Sequence, residues 1–310
     1  ELSTRFNVSK ESLGPWAWHD PFGQEDPLAI NLNTLVQGKD LVAVAKEFYN
    51  KMHLPVESIL LRSDLYEREK KSQHAFCIHM DRRGDVRTLD NLRPSLRWMD
   101  TILHELGHGV YELGYDPKLP WLLRTPPHMI TTEAMALIAG RQAYSPEFYQ
   151  EFFPSEKDNK FLRLAAFESQ KRRQLIFSRW VFVMTFFEKE LYKNPDQDLN
   201  ALWWGLVEKY QLIRPPKGRE NHQDWAAKYH LGLAPVYYYS YLVGEVFASA
   251  LKETLAAQAG SSVFWTPEAG AFLQKNLYFP GNRYRWDELI ERVLGAPLSA
   301  DAWLKEFAEG

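Results

Sequence analysis

Residues 104–108 read His104-Glu105-Leu106-Gly107-His108, inside a run whose apolar residues Leu96, Met99, Leu103, Leu106 and Val110 recur at helical spacing. Two histidines four apart lie one above the other on a helix face. Their imidazoles can converge on one ion, while the glutamate between them projects beside it. The pattern arises by chance in only about one in fifty to a hundred chains of this length and composition. An ion held this way needs a third protein ligand and an open position for water, so another part of the chain has to supply a donor. Gly107 and Gly109 each cost such a helix about 1 kcal/mol relative to Ala. Stability does not explain them, and they predict close approach of another backbone or a ligand. The competing reading is an ordinary amphipathic helix with two solvated or core-satisfied histidines, which predicts no metal at all.

Composition limits the alternatives. At 310 residues, 45% hydrophobic and 25% charged, the chain can bury a sizeable core in one large or two modest domains. A net charge of -3 carries no basic footprint for nucleic acid or an anionic membrane. No apolar run approaches the roughly eighteen residues of a membrane span. Cys77 is the single cysteine, which excludes an internal disulfide and a cysteine-based zinc site, so any metal must use His and carboxylate ligands. The N-terminus, Glu1-Leu2-Ser3, has neither an initiator Met nor a signal-like apolar stretch, and predicts a processed, trimmed or fragment chain. Absence of disulfides leans towards a reducing, cytoplasmic compartment, but exported proteins also lack them, so location stays open.

Along the chain, the segment from Gly14 to Gly23 is dense in Pro and Gly and predicts irregular structure or a short helix anchored by Trp and Phe. Leu41, Val42, Val44, Ala45, Phe48 and Tyr49 predict a helix ending near Lys51. Residues 73–80 read as a strand, Asp81 to Asp85 as a turn, and a second short strand follows. Pro94 suits the first turn of the helix that carries the motif. A further helix is expected from Thr131 or Thr132 to Gly140. Long helical patterns fill 160–193, 199–211, 236–257 and the C-terminal stretch, broken at Pro215-Pro216 and Pro280-Gly281. The expected fold is therefore mainly α, with a small β element before the motif helix. No repeat, low-complexity tract or charge block marks a boundary, so residues 1–310 read as a single domain. Glu133, early in the helix after the Pro-rich turn, is the leading third ligand. An acidic residue there would equally suit the helix N-terminal dipole, and the local pattern leaves both readings open.

Several segments together resemble the catalytic half of the angiotensin-converting-enzyme family of zinc peptidases. They are His104-Glu105-Leu106-Gly107-His108, then Leu119-Pro120 through Leu123-Arg124, and Glu133-Ala134. Thirty residues upstream, His74-Ala75 resembles a pair whose extended backbone binds peptide in that family. Trp203-Trp204 through Lys209-Tyr210-Gln211 with Pro215-Pro216, and Lys228-Tyr229-His230 followed by Tyr238 to Tyr241, resemble further family segments in the same order. The stretch after His230 is in detail more similar to the thimet-type oligopeptidases of the same wider group.

The resemblance implies a helical zincin-type (gluzincin) metallopeptidase with one Zn2+ per chain, held by His104, His108 and Glu133, and with Glu105 as general base. It implies that His230 and Tyr241 stabilise the oxyanion, and that Lys228 and Tyr238 contact a substrate's C-terminal carboxylate, as in release of C-terminal dipeptides from short peptides. Only Tyr238 and Tyr241 have the Tyr-x-x-Tyr spacing, with Tyr239 as the fallback. Bland readings stand beside these: a tyrosine at helical spacing is commonly core, Lys228 a solvated charge and His230 a helix-cap residue. Two departures appear. Related enzymes often place an Asp four residues after the third ligand to orient a zinc histidine, where this chain has Leu137. They also have about twice this length, with an N-terminal helical half that walls a deep cleft, so that half is missing, is supplied by a second chain, or leaves this protein with a more open site. The alternative function is a non-catalytic peptide- or partner-binding module on the same scaffold.

Overall fold

A computed structural model describes residues 2–18, 20–24, 26–28, 30–153 and 160–309. By its internal contacts the chain falls into two compact units, residues 31–167 with 243–310 and residues 1–30 with 168–242. The divisions fall inside the helices Lys160–Lys193 and Tyr239–Ala259. Helices dominate, and the described strands form one two-stranded antiparallel sheet, in line with the expected mainly α fold. No helix among the described residues is long and apolar enough to cross a membrane.

In the unit built from 31–167 and 243–310, the helix Leu41–Lys51 begins where the Asp40 carboxylate accepts from the Val42 and Ala43 N–H groups. Its Leu41, Val44, Ala45, Phe48 and Tyr49 are buried, and Val42 is half-buried. The Tyr49 hydroxyl donates to the Leu103 carbonyl, tying this helix to the one that carries the motif. That motif helix is Leu96–Leu113, and all five of its expected apolar positions are buried. It starts later than Pro94 suggests. The Ser95 side chain accepts from the Trp98 N–H and sets the first turn, leaving Pro94 ahead of the cap.

Before it stands the hairpin of β1 (Phe76–His79) and β2 (Val86–Leu89), registered Phe76 opposite Leu89 and His79 opposite Val86. His79 fastens this hairpin to the motif helix. Its Nε2 accepts from the Gly84 N–H at 3.1 Å, so Nδ1 carries the proton and donates to Glu112 Oε2 at 3.0 Å.

The partner helix, Met129–Gly140, starts two to three residues earlier than Thr131 or Thr132, because the His128 ring accepts from the Ile130 N–H and takes the capping role. Ile130, Ala134, Met135, Ala136, Ile138 and Ala139 are buried on all sides of it, as befits a helix central to its unit. Just beyond its end, the buried Arg141 guanidinium donates to Ser249 Oγ at 2.9 Å and to the Glu245 carbonyl at 2.8 Å, and pairs with the Glu245 carboxylate. Helix Tyr239–Ala259 begins three residues after the expected 236. Val236 sits at φ 57°, a left-handed conformation in which a β-branched residue cannot join a helix, and its N–H donates to the Glu188 carboxylate.

The unit of 1–30 and 168–242 is built on aromatic residues. Trp180, Phe187, Trp203 and Tyr238 are buried together, with Trp180 and Trp203 edge to face at 5.7 Å and Phe187 and Trp203 at 5.2 Å. Trp18 and Phe22 pack against this core as the anchors expected of the Gly14 to Gly23 segment, whereas Trp16 is exposed. His19 of that segment lies outside the described residues. Gln211 Nε2 donates to the Phe22 and Gly23 carbonyls at 2.8 and 3.0 Å, which joins the Trp203–Gln211 segment to the N-terminal one.

Candidate metal centre

The motif helix presents His104 and His108 one turn apart, their rings edge to face with centroids 4.9 Å apart. Glu133, on the helix Met129–Gly140, brings Oε2 to 3.8 Å from His104 Nε2 and 3.9 Å from His108 Nε2. All three ligand atoms lie within 4.8 Å of one another. Burial holds the His104 imidazole down at about 4, and burial with the neighbouring His104 holds His108 well below its ordinary value. Both rings are therefore neutral near pH 7, with lone pairs available to a cation.

Two close approaches set this geometry. A Cβ on Gly107 would stand 2.8 Å from the Ala136 Cα and 3.0 Å from the Met135 carbonyl, so the two ligand-bearing helices touch backbone to backbone there. This is the approach its glycine predicts. At Gly109 the neighbour is a side chain, Ile59 Cδ1, at 2.7 Å from such a Cβ. Behind Glu133, Gly244 leaves room for the glutamate: a Cβ on it would lie 3.2 Å from Glu133 Cβ.

Glu105 is buried at 7% exposure. Burial first, then the charges of Asp90 and Glu133, pushes its carboxyl well above the ordinary carboxylate range. Asp90, wholly buried, accepts from the Thr88 hydroxyl, and its own carboxyl is pushed up to about 6 by burial. His74 and Ala75 immediately precede β1, whose outer edge has no strand partner in this sheet.

The remaining expected site residues lie in the other unit and come together within it. The His230 ring stands 4.7 Å from Tyr238 and 6.1 Å from Tyr241, centroid to centroid. Tyr238 is buried in the aromatic core, where its hydroxyl accepts from Trp180 Nε1, and burial raises its phenol. Lys228 Nζ lies 4.9 Å above the Phe22 ring and 5.1 Å from the Trp180 ring, and donates to Gln24 Oε1 at 3.2 Å. The fallback Tyr239 opens the helix Tyr239–Ala259.

Residues 43–309 match the profile of Peptidase family M3. This chain belongs to Peptidase family M3. Among known proteins it is similar to angiotensin-converting enzyme of Mesocricetus auratus, 26% identical over 313 residues that cover 93% of this chain and 23% of that protein. The Rattus norvegicus enzyme is 25% identical over 315 residues, covering 93% and 23%. For the Bos taurus enzyme the figures are 26% over 275 residues, 82% and 20%. The resemblance drawn from the motifs is thereby borne out. The chain spans under a quarter of the length of these curated relatives.

The donor set of this M3 member fits a zinc ion. In a tetrahedral site with ligands at 2.0–2.1 Å, the ligand atoms stand about 3.3 Å apart. The 3.8 and 3.9 Å separations are within about 0.6 Å of that spacing. With Leu137 in place of an orienting carboxylate, the structure offers a different partner: His108 Nδ1 is 2.7 Å from the Thr132 hydroxyl. Were His108 Nε2 to hold an ion, Nδ1–H would donate to the Thr132 hydroxyl and orient the ring. The sequence reading missed Thr132 because a threonine at a helix start reads as a cap; His79, Glu112 and Asp90 carry no local signal at all. Thr132→Val keeps the shape and removes the acceptor. It is expected to weaken Zn2+ affinity about 10–100-fold, measured by competition with a chromogenic chelator; unchanged affinity would show that the hydroxyl does not orient the ring.

Proposed function

We propose that this chain is the catalytic domain of a zinc peptidase that hydrolyses short peptides. The observation that carries the reading is the convergence of His104, His108 and Glu133 within 4.8 Å, with Glu105 adjacent on the same helix. These three residues would hold one Zn2+ per chain. Once bound, the ion supplies Lewis acidity, lowering the pKa of a water and polarising the peptide carbonyl.

Beside a bound cation Glu105 would favour its ionised form despite its burial, and that carboxylate takes a proton from the attacking water and delivers it to the leaving amine. His104 and His108 stay neutral throughout, and Thr132 holds the His108 ring in one orientation. His74 and Ala75, at the start of an open-edged strand, offer main-chain groups to an extended peptide. By the resemblance, His230 and Tyr241 donate hydrogen bonds to the developing oxyanion, a contribution of about 3–4 kcal/mol per donor. Lys228 and Tyr238 anchor a C-terminal carboxylate, which makes the activity that of a peptidyl-dipeptidase.

The test is metal content together with product masses from defined peptides having free or amidated C-termini. One Zn2+ per chain, loss of two C-terminal residues from free peptides and resistance of amidated ones are expected. Bound zinc with every peptide intact would make the protein a binding module, and absence of zinc after incubation with excess ion would remove the metal site altogether.

A further inference from the structure

Beside Glu105 the unit of 31–167 and 243–310 holds an open cavity of about 420 Å3, walled by His74, Ala75, Asn91, Arg93, Arg97 and Glu105. Two arginines thus share this cavity with one carboxyl group. Arg93 is committed, since its guanidinium is paired with Glu67. Arg97 is not: among the described residues no side chain pairs with its guanidinium, and only its carbonyl is engaged, by the Thr101 hydroxyl. Arg97 is solvent-exposed in the first turn of the motif helix, where the helix dipole disfavours a cation, so its guanidinium is open to a ligand. Asn91, 2% exposed, is fixed in the wall by its Nδ2, which donates to the Ser72 carbonyl at 2.8 Å.

We propose that this cavity is a specificity pocket in which Arg97 takes the carboxylate of an acidic residue in the peptide substrate. The assignment of peptide as the ligand rests on the peptidase reading of the adjoining site. Arg97 and Glu105 are eight residues apart on one helix, about 12 Å along its axis. That is the length of three to four extended residues, and the reach of the arginine side chain shortens it. The acidic residue therefore falls about two positions from the bond attacked. A carboxylate there meets a planar guanidinium able to bind both its oxygens, whereas a lysine would meet a like charge.

The test uses fluorescent alanine-based hexapeptides with Glu, Gln or Lys placed at each position in turn. Equilibrium binding is followed by anisotropy on zinc-loaded Glu105→Gln protein, and kcat/KM is measured on the zinc-loaded wild type. At one position Glu is expected to be favoured over Gln about tenfold, with Lys disfavoured. Arg97→Glu is expected to reverse the order of Glu and Lys there, and Arg97→Ala to abolish the preference. The glutamate variant suits a first helical turn, so its folding is not in question. Glu and Gln peptides within twofold of each other at every position would overturn the proposal, as would a Glu preference that survives both Arg97 substitutions. If no peptide is cleaved while Arg97-dependent, Glu-selective binding persists, the peptidase reading fails and the acidic pocket stands.

Discussion

Glu105→Gln is expected to lower kcat/KM by about a thousandfold, within the range that loss of a positioned proton-transfer group produces, which corresponds to about 4 kcal/mol of transition-state stabilisation. The change alters one atom of a buried side chain and leaves its volume alone. It leaves untouched the three ligand atoms that converge within 4.8 Å on His104, His108 and Glu133, so zinc content should equal that of the wild type. That pairing is what makes the experiment decisive. A ligand substitution such as Glu133→Gln would lose metal and activity together and could not separate catalysis from site assembly. In Glu105→Gln the amide cannot accept the proton of the attacking water, yet the helix, its contact with Ala136 and the Thr132 hydrogen bond all persist. Turnover within tenfold of wild type at full zinc occupancy would remove Glu105 from its role and leave the mechanism without a base.

The parts of this site that were legible in the sequence are those governed by local rules. Helical spacing placed His104 and His108 on one face, and a short apolar run followed by a polar turn placed the hairpin ahead of them. Glu133 was legible only as one of two readings, until its approach to both rings distinguished a ligand candidate from a dipole-favoured carboxylate. The boundaries that shifted did so through side chains that take over a cap or strain a turn: Ser95 rather than Pro94, His128 rather than Thr131 or Thr132, and Val236 held at positive φ. Thr132 follows from the same shift, since a hydroxyl released from capping is available to His108. The roles of Lys228, His230, Tyr238 and Tyr241 came through resemblance alone. No local pattern separates a tyrosine that touches substrate from one packed in a core, and Tyr238 lies buried against Trp180.

Gly107→Ala is the variant in which fold and metal affinity should fail together, against the direction that helix propensity alone predicts. An alanine in mid-helix gains about 1 kcal/mol over glycine. Here its methyl would stand 2.8 Å from the Ala136 Cα and 3.0 Å from the Met135 carbonyl, and neither atom can rotate away. The helix Met129–Gly140 must move bodily, at an overpacking cost of about 1–3 kcal/mol, which outweighs the propensity gain by up to about 2 kcal/mol. Ala136 is one turn from Glu133, so the same displacement carries Oε2 away from both imidazoles and is expected to weaken Zn2+ binding at least tenfold. Gly109→Ala supplies the contrast: its methyl meets only the end of the Ile59 side chain, which can turn aside, so little stability and no zinc affinity should be lost. Urea midpoints and chelator competition on the two variants measure both quantities. Equal stability and equal zinc affinity in Gly107→Ala would mean that the contact between the two helices does not set the spacing of the ligands.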